Sequence, residues 1–291
     1  MSRGTVVVTD STAYLPPGIA EGLPIDVVPL HVIMGEQQGE DGIDVTPADV
    51  VEKLRDKAIT VTTSRPTPEQ FVERYRSLLA DGYDRIVSVH ISSELSGTWD
   101  AARLAAVQCN SDAGEEVVRV VDSRVTAMGL GFPVLVAART AAAGGTNDEV
   151  YDAAVESLKD TSNFFYVDTL EFLRRGGRIG AARALVGTAL AVKPILHIQD
   201  GRILPLEKVR TAAKAIARLK ALAVEAANSI EGEVMVAVHH LAAPERADQL
   251  RSELEAEIPG ASEVVMSEVG AVLGAHVGPG MLAVIVVPAL G

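Results

Sequence analysis

The residues from His90 to Ala101, reading H-I-S-S-E-L-S-G-T-W-D-A, gather the side chains best suited to hold a ligand. They follow an apolar segment, Arg85 to Val89, with the character of a buried strand, and lead into Ala101 to Ala106, which reads as a helix. In open α/β sheets ligands sit outside the carboxyl ends of strands, where the next helix offers unpaired N–H groups and the positive end of its dipole. An anionic head group suits that setting. Ser93, Ser96 and Thr98 could equally serve as N-caps and turn formers. Four hydroxyls around one glycine nevertheless form a denser cluster than capping needs.

A second group lies at Thr62, Thr63 and Ser64. The helix start Thr67-Pro68-Glu69-Gln70 uses Thr67 as its cap, with Pro at the first position and Gln at the third, so the three earlier hydroxyls are free of that duty. A third candidate is His276 in Gly274-Ala275-His276-Val277-Gly278-Pro279-Gly280. The flanking glycines leave its ring room to approach a ligand, and a solvated turn histidine is the plain alternative.

Catalytic and metal-binding arrangements are poorly represented. His90, Ser93 and Ser96 invite a serine-hydrolase reading, but there is no G-x-S-x-G elbow, and a triad needs a histidine from elsewhere with an acidic orienter. Gly176-Gly177-Arg178-Ile179-Gly180 has neither the spacing nor the lysine of a phosphate-binding loop. His239 and His240 are adjacent, hence on opposite faces of a strand, and cannot share one metal. No metal site is expected.

The elements that must position these groups alternate at first. Thr5 to Thr9, Ile25 to Ile33, Arg85 to Val89 and Glu116 to Val121 read as strands, with Gly35 to Gly42 a polar hairpin or loop. Helices are expected from Thr46 to Leu54, after Thr67, over Ala101 to Ala106, over Met128 to Thr140 and over Asp148 to Lys159. This pattern predicts a parallel sheet wrapped by helices. Asp10-Ser11, Ser92-Ser93 and Asp122-Ser123 end three of its strands, placing polar chemistry on one rim. After a boundary near Asp160 to Asn163 the pattern changes. Strands are expected at Phe164 to Thr169, Pro194 to Ile198, Arg202 to Leu206, Glu233 to His239, Ser262 to Glu268 and Met281 to Pro288. Helices are expected at Ala181 to Ala191, Thr211 to Asn228 and Pro244 to Ile258. Asp200-Gly201 is the strongest hairpin signal. The fold class is therefore α/β, with an N-terminal parallel α/β domain (1–161) and a C-terminal α+β domain (162–291) built on a mixed or antiparallel sheet covered on one face.

Bulk properties narrow the function. A net charge of −13 argues against nucleic-acid or anionic-membrane surfaces, which need clustered cations. At 48% hydrophobic but 4% aromatic, the core must be aliphatic. The lone Cys109 excludes an intramolecular disulfide and a thiolate metal cage, fitting a reducing cytosol. The start of the chain carries no signal-peptide pattern and no apolar run is long enough to span a bilayer, so a cytoplasmic protein is expected.

Six motifs occur in order along nearly the whole chain: Asp10-Ser11-Thr12, Thr63-Ser64-Arg65-Pro66, Ser92 to Thr98, Asp122-Ser123, Leu173 to Gly180 and His276 to Gly280. Together they closely resemble the DegV family of bacterial fatty-acid-binding proteins, the FakB-type subunits of fatty acid kinase. The resemblance implies a six-stranded sheet in the C-terminal domain and an acyl chain, such as hexadecanoate, buried in a cleft between the domains. It implies that Thr63 and Ser96 bind the carboxylate with Ser93 nearby, that His276 completes the network, that Ser64 is secondary, and that Arg178 lies at the site's edge or at a partner surface. It further implies a carrier without catalytic residues or cofactor, acting with a partner kinase in phospholipid synthesis. The alternative is a hydrolase or acyltransferase using Ser96 as nucleophile. Two positions depart from the family pattern: Tyr14 stands where an acidic residue is common, and Arg65, where Gln is common, adds a cation beside the expected carboxylate site.

The energetics suit that picture. Burying about fourteen methylenes at about 0.8 kcal/mol each supplies on the order of 11 kcal/mol before ordering costs. The head group then needs mainly orientation, for which neutral hydroxyl donors suffice.

Overall fold

The computed structural model describes residues 3–56, 59–185 and 193–289. In chain order the first part contains β1 (Thr5–Asp10), β2 (Ile25–Val28), β3 (His31–Met34), β4 (Gln37–Glu40), α1 (Pro47–Arg55), β5 (Val61–Ser64), α2 (Pro68–Ala80), β6 (Arg85–His90), α3 (Thr98–Ala113), β7 (Val118–Asp122), α4 (Met128–Ala142) and α5 (Asn147–Ser157). The second contains β8 (Ser162–Tyr166), α6 (Glu171–Arg175), β9 (Lys193–Gln199), β10 (Arg202–Val209), α7 (Ala212–Ser229), β11 (Val234–His240), α8 (Pro244–Glu257), β12 (Ala261–Glu268), α9 (Ala271–Val277) and β13 (Leu282–Pro288).

The valine-rich β1 is buried along its whole length because it is an interior strand of a parallel sheet ordered β2-β1-β6-β7. Phe71 and Tyr75 of α2 and Ala101, Ala105 and Cys109 of α3 pack on one face. Leu130 and Val134 of α4 and Val150 and Ala154 of α5 cover the other. The chain leaves β1 toward β2 on one side and later returns to β6 on the other. The carboxyl ends of β1 and β6 therefore flank a topological switch point, where such sheets open a crevice.

The Ile25 to Ile33 stretch, expected as one strand, is two. Pro29 and Leu30 separate β2, which joins the parallel sheet, from β3, which pairs antiparallel with β4 and β5 in a three-stranded sheet. An apolar run reads the same whichever sheet it enters, so periodicity could not locate the break. The Gly35 to Gly42 segment closes the β3–β4 hairpin.

The remaining strands form a mixed six-stranded sheet, β10-β9-β8-β13-β11-β12, in which only β11 and β12 are parallel. Asp200 and Gly201, at φ +51° and +80°, make the two-residue turn between β9 and β10, the left-handed pair a hairpin of this twist requires. Alternation along β13 sends Leu282, Val284 and Val286 to a core beneath α7 and α8, and Ala283 and Ile285 to the opposite face. That opposite face is covered too: Met235, Ala237, Ile285 and Val287 meet Met128, Phe132 and Leu135 of α4. The expectation of a sheet covered on one face thus held for α7 and α8 but missed the contact with α4. Of the helix expected over Ala181 to Ala191, Gly180–Leu185 is a tight 3-10 turn, and 186–192 lie outside the described residues. No helix among the described residues is long and apolar enough to cross a membrane.

Candidate functional site

Between the six-stranded sheet and the parallel sheet lies a cavity that opens to solvent. Phe165 of β8, Ile198 of β9, Ile203 of β10 and Ala283 and Ile285 of β13 form its floor. Leu30, Ile91, Leu95, Val272, Leu273 and Val277 wall it from the other side. Thr63, Ser64, Arg65, Ser96, Arg178 and His276 also line it, and no Asp or Glu does among the described residues. The space is greasy, and its charged lining is cationic.

The strand-end aspartates build the rim without entering the cavity. Asp10, fully buried, accepts hydrogen bonds from the Thr12 hydroxyl (2.5 Å), the Ile91 amide (2.9 Å) and Nδ1 of His90 (3.0 Å). His90 continues through Ser88 (2.7 Å) to the Tyr75 hydroxyl (2.7 Å), so it serves the core rather than a ligand. Asp122 accepts from the Ser93 amide (3.1 Å) and hydroxyl (2.5 Å). Ser93 is thereby committed to holding the β6–α3 loop and does not line the cavity, whereas Ser96 does. The β9–β10 hairpin clamps the same loop: Ser92 Oγ donates to the Gly201 carbonyl (2.8 Å), and Arg202 grips Glu94 with two bonds of 2.9 Å.

Ser96 precedes α3, whose N-cap Gly97 offers no side-chain cap. The Thr98 amide donates to Ser96 Oγ at 3.3 Å, and the Thr98 hydroxyl lies 2.8 Å from it. If the buried Thr98 also donates, Ser96 Oγ accepts twice and keeps its own proton for an acceptor in the cavity. No histidine or carboxylate hydrogen-bonds Ser96 among the described residues. The Arg65 guanidinium rests on the backbone of Gly97, where a Cβ would lie 1.7 Å from its Nη1. This contact brings the end of β5 against the start of α3.

Thr63 pairs with Val32 in the small sheet, and its Oγ1 lies 2.9 Å from Nε2 of His276. His276 is carried by α9, not by the solvated turn that was the plain alternative in the sequence. Its ring is buried, and burial, with a further push from the Arg178 guanidinium, lowers its pKa to about 4. The imidazole is neutral near pH 7. Among the described residues Nδ1 has no partner, and it faces Gly176, where a Cβ would sit 2.0 Å away. A buried unpaired N–H is rarer than an unpaired acceptor, so the proton belongs on Nε2, which donates to Thr63. Thr63 can then donate its own hydroxyl proton to an anion. Arg178 is fixed by bonds from Nε to the Leu95 carbonyl (3.1 Å) and from Nη1 to the Gly176 carbonyl (2.7 Å). The glycine-rich run from Leu173 to Gly180 thus accommodates His276 and aims Arg178.

Helix α9 is held from the first part of the chain. Asp41 accepts from the Ala271 amide (2.8 Å), Ser11 Oγ (3.0 Å) and the Tyr14 hydroxyl (3.1 Å), and the Tyr14 oxygen accepts from the Leu273 amide (3.1 Å). Burial raises the Asp41 pKa, while those hydrogen bonds oppose the rise. Neither Asp41 nor the positioning role of Tyr14 was visible in the sequence, since their partners on α9 lie 230 and 259 residues away along the chain.

His239 also lines the cavity and is neutral near pH 7, its pKa lowered by burial to about 4. Its Nε2 accepts from the Met128 amide at the start of α4 (3.0 Å), so its proton is on Nδ1, beside the carbonyl and hydroxyl of Ser267. The described residues contain no group of three His, Cys, Asp or Glu arranged to hold a metal.

Comparison with known proteins agrees with this architecture. A DegV domain-containing protein of Streptomyces coelicolor is 53% identical over 286 residues, covering 98% of this chain and 99% of its own length. The structure of a fatty-acid-binding DegV family protein from Thermus thermophilus superposes with a TM-score of 0.89 at 33% identity, covering 98% of this chain and 99% of that one. The structure of DegV, a fatty-acid-binding protein from Bacillus subtilis, gives 0.86 at 34% identity with the same coverage. The sequence profile of the DegV family, a family described as uncharacterised, matches residues 5–289, and the chain belongs to that family.

Proposed function

We propose that this protein is a non-catalytic carrier that binds one long-chain fatty acid, such as hexadecanoate, in the cavity between a domain of residues 1–161 and a domain of residues 162–291. The reading rests on one observation: an apolar cavity with no carboxylate in its described lining has hydroxyls of Thr63, Ser64 and Ser96, the His276 ring and two arginines along one part of its wall. Fatty-acid binding by the Thermus and Bacillus relatives supports it. Thr63 and Ser96 donate to the carboxylate, His276 orders Thr63, and Arg65 and Arg178 offset the negative charge. Ser93 contributes indirectly, by holding the loop that carries Ser96.

In this reading the carboxylate end lies toward the mouth and is presented to a fatty acid kinase subunit for phosphorylation, in the cytoplasm, a use supported by the resemblance to FakB-type subunits. A Ser96 nucleophile has less support, because the partners of its oxygen are the Thr98 amide and hydroxyl rather than a base. Protein purified from cells is expected to release a long-chain acid in near-stoichiometric amount on organic extraction, identified by mass spectrometry. Protein that carries no lipid and takes up none on reconstitution would overturn the proposal.

A further inference from the structure

The cavity wall carries a second polar group that neither the carboxylate nor its donors explain. Asn163 of β8 is 5% exposed and Thr126 is 8% exposed, and both line the cavity. Among the described residues the Asn163 side chain makes no hydrogen bond and the buried Thr126 Oγ1 has no partner. Asn163 and the segment carrying Thr126 both come close to Gly129. A Cβ built on Gly129 would touch Asn163 Nδ2 at 3.4 Å and Val125, the neighbour of Thr126, at 3.3 Å.

Asn163 sits away from the carboxylate end. Asn163 stands beside Ile285 in the β8–β13 ladder, four residues along from Met281, the lining residue that follows the His276 loop. At the rise of a β-strand that is roughly 13 Å. Along the floor between them lie Phe165 and Ala283, which are apolar. A cavity built only for hydrocarbon has no use for an amide there, because an unpaired buried amide is destabilising and a leucine of similar size would remove the penalty.

Resting on the carrier reading, we propose that Asn163 and Thr126 form a subsite for an oxygen function on the acyl chain, so that the preferred ligand class is a hydroxy- or oxo-substituted long-chain acid. The amide supplies a donor and an acceptor and the hydroxyl supplies both, which matches an alcohol in either role or a ketone as acceptor.

Competitive displacement of a fluorescent acid tests this, using octadecanoate and a series of monohydroxylated octadecanoates with the hydroxyl moved from mid-chain to the terminal carbon. One isomer is expected to bind at least as tightly as octadecanoate, with the others about tenfold or more weaker because their hydroxyl is buried unpaired. In Asn163→Leu the ratio inverts: octadecanoate tightens and the favoured isomer weakens about tenfold. Thr126→Val, close in shape, shifts the ratio the same way and serves if the first variant is poorly folded. Uniform weakening of all isomers, or a favoured isomer indifferent to both substitutions, overturns the subsite while leaving the carrier reading intact. That pattern would mean that ordered water satisfies the pair. Failure of octadecanoate and every isomer to bind overturns both.

Discussion

Replacing Thr63 by valine removes one oxygen while keeping the β-branched shape that its strand accommodates. The hydroxyl stands between the proton on His276 Nε2, 2.9 Å away, and the cavity. Its loss deletes a hydrogen bond to a charged group, worth about 1.5 to 3 kcal/mol, and leaves the imidazole N–H without an acceptor. At 1.4 kcal/mol per tenfold, affinity for hexadecanoate should fall about tenfold to a hundredfold. It should not vanish, because the buried tail contributes on the order of 11 kcal/mol. Thr63→Ser, which keeps the hydroxyl, should stay within a few-fold of the parent, separating hydrogen bonding from packing. Isothermal titration on delipidated protein, paired with thermal melting to confirm folding, measures both. Equal affinities for the valine variant and the parent would refute the assignment of Thr63 and the proton placement on His276.

Ala283 lies on the cavity floor beside Phe165, so Ala283→Phe should fill space used by the tail. Displacing about four methylenes costs about 3 kcal/mol, a loss of a hundredfold or more in binding without a fall in melting temperature. Asp41→Ala should strand the Ala271 amide and the hydroxyls of Ser11 and Tyr14, costing about 2 to 4 kcal/mol and several degrees of melting temperature. Protection of the α9 amides against hydrogen exchange should drop with it; unchanged protection would show that the latch does not hold α9. Acidification should also destabilise the protein. His239 and His276 have folded pKa values near 4 against an unfolded value of 6.5, so the unfolded state binds more protons between them. Stability is full above 6.5, is lost as pH falls toward 4, and loses up to roughly 3 kcal/mol for each ring. Asp41, with its raised pKa, acts in the opposite sense at the acid end of that window. Urea titrations across this range should show the slope, and His276→Gln should remove part of it; a flat profile would contradict neutral burial of the rings.

The sequence alone determined whatever depends on near neighbours. Thr67 caps α2 through a reciprocal bond with Gln70, and Asp200-Gly201 turns the β9–β10 hairpin, because capping and turn chemistry act over a few residues. The hydroxyl-rich run after β6 likewise announced a strand-to-helix junction facing a crevice. Tertiary structure decided what each hydroxyl does. Ser93 and Ser96 are three residues apart and chemically alike, yet Asp122 claims one and the cavity receives the other. The break at Pro29 and Leu30, the helix carrying His276 and the latch at Asp41 were equally silent in the sequence. Each is fixed by a partner from a distant segment, and a polar side chain declares its role only once folding has shown which of its hydrogen-bonding sites the protein fills and which it leaves facing the cavity.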